Sequence, residues 1–120
     1  MAGDGGLLMS ISEFETAVRY RIPLVVIVLN DAAYGSEVHA LRSLGLPVET
    51  AQFPDTDFAR IAEGYGGYGV TVRSLADLRP VAELVAGLDR PLVLDIKIDR
   101  NLIAPWFRRA KLAAAASVRN

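Results

Sequence analysis

GDGGLLMSISEFETAVRYRIPLVVIVLND, residues 3–31, changes its hydrophobic period within one short stretch, and that change decides the fold class. Ile11, Phe14, Ala17 and Val18 fall at helical spacing, which predicts a helix running to about Tyr20. Ser10 and Glu13 stand as Ser-x-x-Glu and are expected to form a capping box, each side chain satisfying a free backbone amide. Pro23 ends the helix. The unbroken apolar run 24–29 then suits a strand buried on both faces, as in a parallel sheet. Residues 1–6 read as a Gly-rich loop, which would follow a strand if Met1-Ala2 is the stump of one.

The pattern continues outward. Residues 30–35 read as a loop, followed by a polar helical stretch to about Leu44. Residues 45–53 are irregular around Pro47. Phe58, Ile61, Ala62 and Tyr65 mark a short helix starting near Asp57. GYGGYG, residues 64–69, follows a helix and precedes the strand 70–72, so it reads as a helix cap and turn. A nucleotide loop has the order strand, glycines, helix, which argues against a generic Rossmann-like nucleotide binder. Ser74 is expected to cap one helix carrying Leu75, Leu78, Val81, Val85 and Leu88, with Pro80 jogging its first turn. Residues 91–98 form the last strand. Alternating helices and strands predict an α/β fold: a Rossmann-like parallel sheet with helices on both faces and sites at the carboxyl ends of the strands.

Composition narrows the function classes. The 120 residues bound one domain at most, with 52% hydrophobic residues and 13 basic against 14 acidic ones. No global field points to nucleic acid. Neither apolar run approaches the roughly 20 residues of a membrane span, so no membrane partner is expected. The absence of cysteine excludes disulfides and thiolate ligands and fits a cytoplasmic enzyme. Arg100, Arg108, Arg109, Lys111 and Arg119 make residues 99–120 a basic, Ala-rich tail that is expected to be helical, with Trp106 and Phe107 docking it. Residues 1–98 would hold the domain proper.

Two loops carry polar residues that packing explains least. Asp4 sits among Gly3, Gly5 and Gly6, which let backbone amides approach a ligand closely. Asn30-Asp31 follows the adjacent strand, one helix and one strand later. Two carboxylates there would suit Mg²⁺, which takes hard oxygen donors and completes its octahedron with water and phosphate oxygens. Asp, Asn and Gly are also the commonest turn residues, and spacing alone favours that plainer reading.

The same stretch resembles the binding motif of thiamine-diphosphate (ThDP) enzymes: Gly-Asp-Gly, an intervening stretch of this length, and a terminal Asn-Asn, matched by Gly3-Asp4-Gly5 and Asn30-Asp31. The resemblance extends through Ala33-Tyr34-Gly35, Phe53-Pro54-Asp55 with its helix, and the strand 92–98. It is nearest to the acetolactate synthase, benzoylformate decarboxylase and pyruvate decarboxylase group. It implies a diphosphate-binding domain that holds ThDP through Mg²⁺. Asp4 and Asp31 would each give the metal a side-chain oxygen, and Ala33 its backbone carbonyl. Gly3, Asp4, Gly5, Gly6, Asn30, Asp31, Ala33, Tyr34 and Gly35 would line the cofactor, with amides near Gly5, Gly6 and Gly35 on the diphosphate. The family usually has Asn where Asp31 stands. Glu37 lies where pyruvate-decarboxylase-like members carry an active-site glutamate, which would help with proton transfer. An exposed helix carboxylate is the alternative reading and is preferred for Glu37. His39, the only histidine, reads as structural or solvated.

The resemblance further implies a partner chain or domain carrying the pyrimidine-binding half of the site, and a homo- or hetero-oligomer. The strand before Gly3 and the first part of the domain are expected to be missing, leaving the run 24–29 or a neighbour as an exposed sheet edge. The isolated chain is expected not to turn over pyruvate or benzoylformate. Two functions follow: the Mg-ThDP-binding portion of a 2-oxo acid decarboxylase or carboligase, or a non-catalytic binding module that keeps the fold.

Overall fold

The computed structural model describes residues 1–103 and Pro105. It is an α/β unit around one four-stranded sheet. The chain order is β1 (Ala2–Gly3), α1 (Asp4–Leu8), α2 (Ser12–Arg19), β2 (Val25–Asn30), α3 (Gly35–Ser43), α4 (Phe58–Gly64), β3 (Tyr68–Val72), α5 (Val81–Ala86) and β4 (Leu92–Lys97), with short 3₁₀ turns at Glu49–Ala51 and Leu75–Leu78. The sheet order is β1-β2-β4-β3, and every pair is parallel.

Alternation along the central strands sends side chains to two faces. Val28 and Val93 face α1, α2 and α4, where they meet Leu7, Phe14, Phe58 and Ala62. Leu92 and Leu94 face the other way, toward Val81 and Leu84 of α5. Covering a parallel sheet on both faces is what permits its near-continuous apolar strands. A satellite cluster of Ala33, Val38 and Ala51 seats α3 on the Glu49–Ala51 turn. Close approach explains Gly69: a Cβ there would run into the backbone of Ala59, so β3 and α4 pack directly. Gly66, at φ +92°, ends α4 in the left-handed region, as the Gly-rich run suggested.

Four local expectations need correction. Residues 1–6 are not a loop: Ala2–Gly3 is a strand and Asp4–Leu8 a helix. The Ser10–Glu13 capping box does not form. A turn from α1 leads straight into Ile11, already helical at φ −63° and ψ −21°, and the Glu13 amide donates to the Ser10 carbonyl at 3.0 Å. The helix expected from Ser74 onward is split, because Pro80 has no amide to continue it and instead precedes α5. Strand β3 begins at Tyr68, earlier than the apolar pattern suggested, with the Tyr68 amide donating to the Pro91 carbonyl at 2.8 Å.

Strand β2 is interior in the sheet order, but β1 covers only Val28 and Leu29. Val25, Val26 and Ile27 therefore have β4 as their one sheet neighbour among the described residues. Trp106, Phe107 and most of the basic tail lie outside the described residues. Among the described residues no helix is long and apolar enough to cross a membrane.

Candidate functional site

Parallel pairing of β1 with β2 sets Gly3 opposite Leu29, so the residues leaving both strands emerge side by side. Asp4 opens α1 immediately after β1, and Asp31 leaves β2 one residue after its end. Both line an open cleft of about 600 Å³, together with Gly3, Gly5, Gly6, Ala33, Tyr34, Gly35 and Glu37. Met9, Leu29, Ile98, Leu102 and Ile103 form its apolar wall. This is the carboxyl end of the sheet, where the alternating pattern placed the site.

Asp4 is buried and ties the start of α1 to the segment after β2. Its Oδ1 accepts from the Gly5 amide at 2.9 Å, and its Oδ2 accepts from the Ala33 amide at 3.3 Å. A carboxylate offers about four acceptor directions, so both oxygens keep capacity for a cation. Asp31 is half-buried. Burial first, and the negative charge of Asp4 second, push its carboxyl above the usual aspartate range; nearby backbone amides and Arg100 oppose the shift without cancelling it. The two carboxylates thus feel each other across the cleft, and a cation between them would remove that repulsion.

Two glycines are required by contact. A Cβ on Gly5 would lie 2.5 Å from Cε1 of Tyr34, whose ring packs edge-on against Phe53 at 5.3 Å and 78°. A Cβ on Gly35 would collide with Oδ2 of Asp31. Gly3 and Gly6 have open space where a Cβ would stand. The first-turn amides of α3, from Gly35 onward, lack intrahelical acceptors and border the cleft.

Glu37 is exposed in that turn, accepts from the Ser36 hydroxyl at 2.7 Å and also lines the cleft, so both of its readings have a geometric basis. His39 is buried on α3 and reaches the same cleft.

Asn30 occupies a different place from the one the motif suggested. Its side-chain amide donates to Oδ1 of Asp95 and to the Thr56 carbonyl, both at 2.9 Å, while its oxygen accepts from the Ala32 amide at 3.1 Å. Its side chain is thus committed beneath the loop and does not line the main cleft. Asp95, which the sequence reading missed, is fully buried and also accepts from the Phe58 amide at 3.1 Å and from Lys97 at 2.9 Å. Lys97 in turn pairs with Asp55 and donates to the Thr56 carbonyl at 2.9 Å. The available signal was a carboxylate in the middle of an apolar strand, a position tolerated only when the charge is paired and hydrogen-bonded.

Among the described residues no group of three or more His, Cys, Asp or Glu side chains is arranged around a metal position. The cleft instead offers two carboxylates beside backbone oxygens and leaves the remaining directions open. That donor set fits Mg²⁺ bound jointly with phosphate oxygens, since Mg²⁺ characteristically takes one or two carboxylates plus substrate phosphates and water.

Comparison with known proteins agrees with this geometry. Residues 1–96 match the family described as "Thiamine pyrophosphate enzyme, C-terminal TPP binding domain". The acetolactate synthase of Bacillus subtilis (strain 168) is 32% identical over 99 residues, covering 82% of this chain and 17% of that protein. Acetolactate synthase large subunit IlvG of Mycobacterium tuberculosis is 31% identical over 114 residues, covering 94% of this chain and 20% of its own length. Among solved structures, the thiamine diphosphate-dependent 4-hydroxybenzoylformate decarboxylase of Rhodococcus jostii RHA1 superposes with a TM-score of 0.70 at 29% identity, covering 84% of this chain and 19% of that one. The benzoylformate decarboxylase of Polynucleobacter necessarius, at a TM-score of 0.74 and 20% identity, shares the fold. The chain thus spans a fifth or less of these relatives, in each of which the matching domain is one part of a longer protein. With its sheet, its paired loops and the match over residues 1–96 in agreement, the chain belongs to the thiamine pyrophosphate enzymes, as their C-terminal TPP-binding domain.

Proposed function

We propose that this chain holds Mg²⁺-ThDP in the cleft at the carboxyl ends of β1 and β2, as the diphosphate-binding portion of an acetolactate synthase-like 2-oxo acid decarboxylase or carboligase. The observation that carries this reading is that Asp4 and Asp31, leaving the paired strands β1 and β2, line one cleft together with the glycines of both segments. Asp4, Asp31 and the Ala33 carbonyl would hold the metal. Backbone amides near Gly5, Gly6 and Gly35 would bind the diphosphate, with Gly3 and Tyr34 also on the cofactor side of the site and Asn30 beneath it. When bound, ThDP supplies a thiazolium carbon that serves as an electron sink for cleavage or ligation of 2-oxo acids.

The chain's own residues do the holding. The Asp4–Ala33 hydrogen bond fixes the distance between the two loops. The apolar wall from Leu29 to Ile103 would give a bound cofactor a nonpolar contact on one side of the open cleft. Asp31 adds a second negative charge where the family usually has Asn. It pulls harder on Mg²⁺ and repels the diphosphate, so metal and cofactor should bind with strong mutual dependence. Glu37, exposed and lining the cleft, would be the candidate for proton exchange with a bound ligand, beside the preferred reading of an exposed helix carboxylate. The reading includes a partner chain or domain for the pyrimidine half of the site, an oligomeric assembly, a cytoplasmic setting, and a division into residues 1–98 and a tail of residues 99–120.

Titration calorimetry with ThDP and Mg²⁺ tests the site. Binding should vanish on chelating the metal and weaken at least about 100-fold in Asp4→Ala, since even outer-shell changes around a metal reduce affinity 10- to 100-fold. Equal affinity in the wild-type chain and in Asp4→Ala would refute the assignment.

A further inference from the structure

The loop that carries Asp31 and Ala33 bends through an unusual residue. Ala32 sits at φ +55°, in the left-handed region, one of only two non-glycine residues to do so among the described residues. An L-residue with a Cβ resists that conformation, so something around it must hold it there. Two sets of contacts do. The Ala32 carbonyl accepts from the Phe53 amide at 3.1 Å, and the Tyr34 amide donates to the Ala51 carbonyl at 2.9 Å, which ties the outer side of the loop. On the inner side, the Ala32 amide donates to Oδ1 of Asn30, and Asn30 is itself clamped by Asp95 and the Thr56 carbonyl.

Asp95 is placed to act as the anchor of this chain of contacts. It is buried, it lies on β4, the direct neighbour of β2, and it receives Asn30, the Phe58 amide and Lys97 on its two oxygens. With Lys97 held by Asp55 and the Thr56 carbonyl as well, the anchor cannot rotate without breaking several bonds at once. A simple core role would need only that the buried charge be neutralised. Here the same charge also orients the carboxamide that faces the strained amide.

We propose that Asp95, held by Lys97, is a positioning residue for the metal loop. Through Asn30 it keeps Ala32 left-handed, so that the Asp31 carboxylate and the Ala33 carbonyl are presented together toward Asp4. The inference deepens the Mg²⁺-ThDP reading and rests on it. It assigns to Asp95 and Asn30 a role in preorganising the site without touching cofactor or metal.

The test uses the full 120-residue chain, with Mn²⁺ and inorganic pyrophosphate as the probe and electron paramagnetic resonance as the readout. Asn30→Ala and Asp95→Asn should each weaken Mn²⁺ binding about 5- to 30-fold, the factor matching the left-handed penalty of one L-residue. In the metal-free chain the ¹³Cβ resonance of Ala32 should leave its left-handed position in both variants. Adding Ala32→Gly to Asn30→Ala should recover most of the affinity and none of the lost thermal stability, because glycine needs no support to stay left-handed. A role confined to core stability would lower the melting temperature while leaving affinity and the Ala32 resonance unchanged, and that result would overturn the proposal. So would failure of Ala32→Gly to recover affinity. Should Asp95→Asn not fold, Asn30→Ala, which keeps the Asp95–Lys97 pair, carries the test. An Asp31→Ala control with undiminished Mn²⁺ binding would defeat the metal reading by itself, and the metal-free Ala32 resonance would still decide whether Asp95 and Asn30 position the loop.

Discussion

Asp95 lies on β4, and Asp4 and Asp31 follow the carboxyl ends of β1 and β2 in the same sheet, yet their charges are met differently. Asp95 is enclosed by donors from the protein itself: a carboxamide, a helix amide and an ammonium group. Asp4 and Asp31 line one cleft, with backbone amides and, for Asp31, the charge of Arg100 for relief. The first arrangement is complete without a ligand, and the second leaves negative charge that a cation would neutralise. Buried acids alone therefore do not mark a site in this fold. The proposed site is instead the acid pair whose compensation the protein leaves to something else.

The largest effect that could break this contrast is on folding stability. Asp95→Ala strands Lys97, Asn30 and the Phe58 amide without their shared acceptor, and breaking a buried pair in this way costs about 3–5 kcal/mol. Urea unfolding of the metal-free chain measures it. A loss no larger than the 0–1 kcal/mol or so of a surface ion pair would place Asp95 on the same footing as an exposed acid and erase the distinction.

A middle-sized effect should separate binding from stability at the open pair. In Gly35→Ala the new Cβ displaces the Asp31 carboxylate, so Mn²⁺ affinity should fall about tenfold or more. Stability should change little, because alanine in a helix gains roughly 0.5–1 kcal/mol over glycine and offsets the displaced side chain. Parallel affinity and melting measurements check both halves. If the melting temperature collapses together with affinity, Gly35 serves packing and not the site.

The smallest effect is a pH dependence of opposite sign to that of an ordinary paired aspartate. Asp31 has its carboxyl raised in the folded chain, so the native state holds that proton more tightly than the unfolded one. Stability then falls as pH rises from the normal aspartate range through the raised folded value, and stays lower above it. Asp31→Asn should therefore melt slightly higher than wild type at neutral pH without metal, by less than about 1 kcal/mol at this half-exposed position. The two should converge in acid. Calorimetry across a pH series reads the difference, and a variant less stable than wild type at neutral pH would show that Asp4 and Asp31 do not repel.

Much of the site was legible because it is local. The period change in residues 3–31 placed a helix and then a strand, half-buried over most of its length, ahead of the polar Asn30-Asp31, and parallel pairing must bring the ends of such neighbouring strands together. Capping chemistry was less legible. Ser10 and Glu13 had suitable residue types, but the preceding turn of α1 had already made the backbone helical, so no free amide remained for the box. The Leu75–Leu88 pattern suggested one helix, and the missing amide of Pro80 divided it in two.

By itself, the sequence determined the α/β class and the strand that leads into Asn30-Asp31, and it singled out the two acids that line one cleft, because hydrophobic period and motif spacing act over short lengths of chain. Only the tertiary structure decided what Asn30 does. Its partners are Asp95, brought alongside by the β2–β4 pairing, and the Thr56 carbonyl, delivered by the turn before α4. A side chain's hydrogen-bonding role depends on which distant groups reach it, and no spacing rule along the chain carries that information. The same holds for the left-handed Ala32: the residue type argues against that conformation, and contacts from two other segments of the chain maintain it.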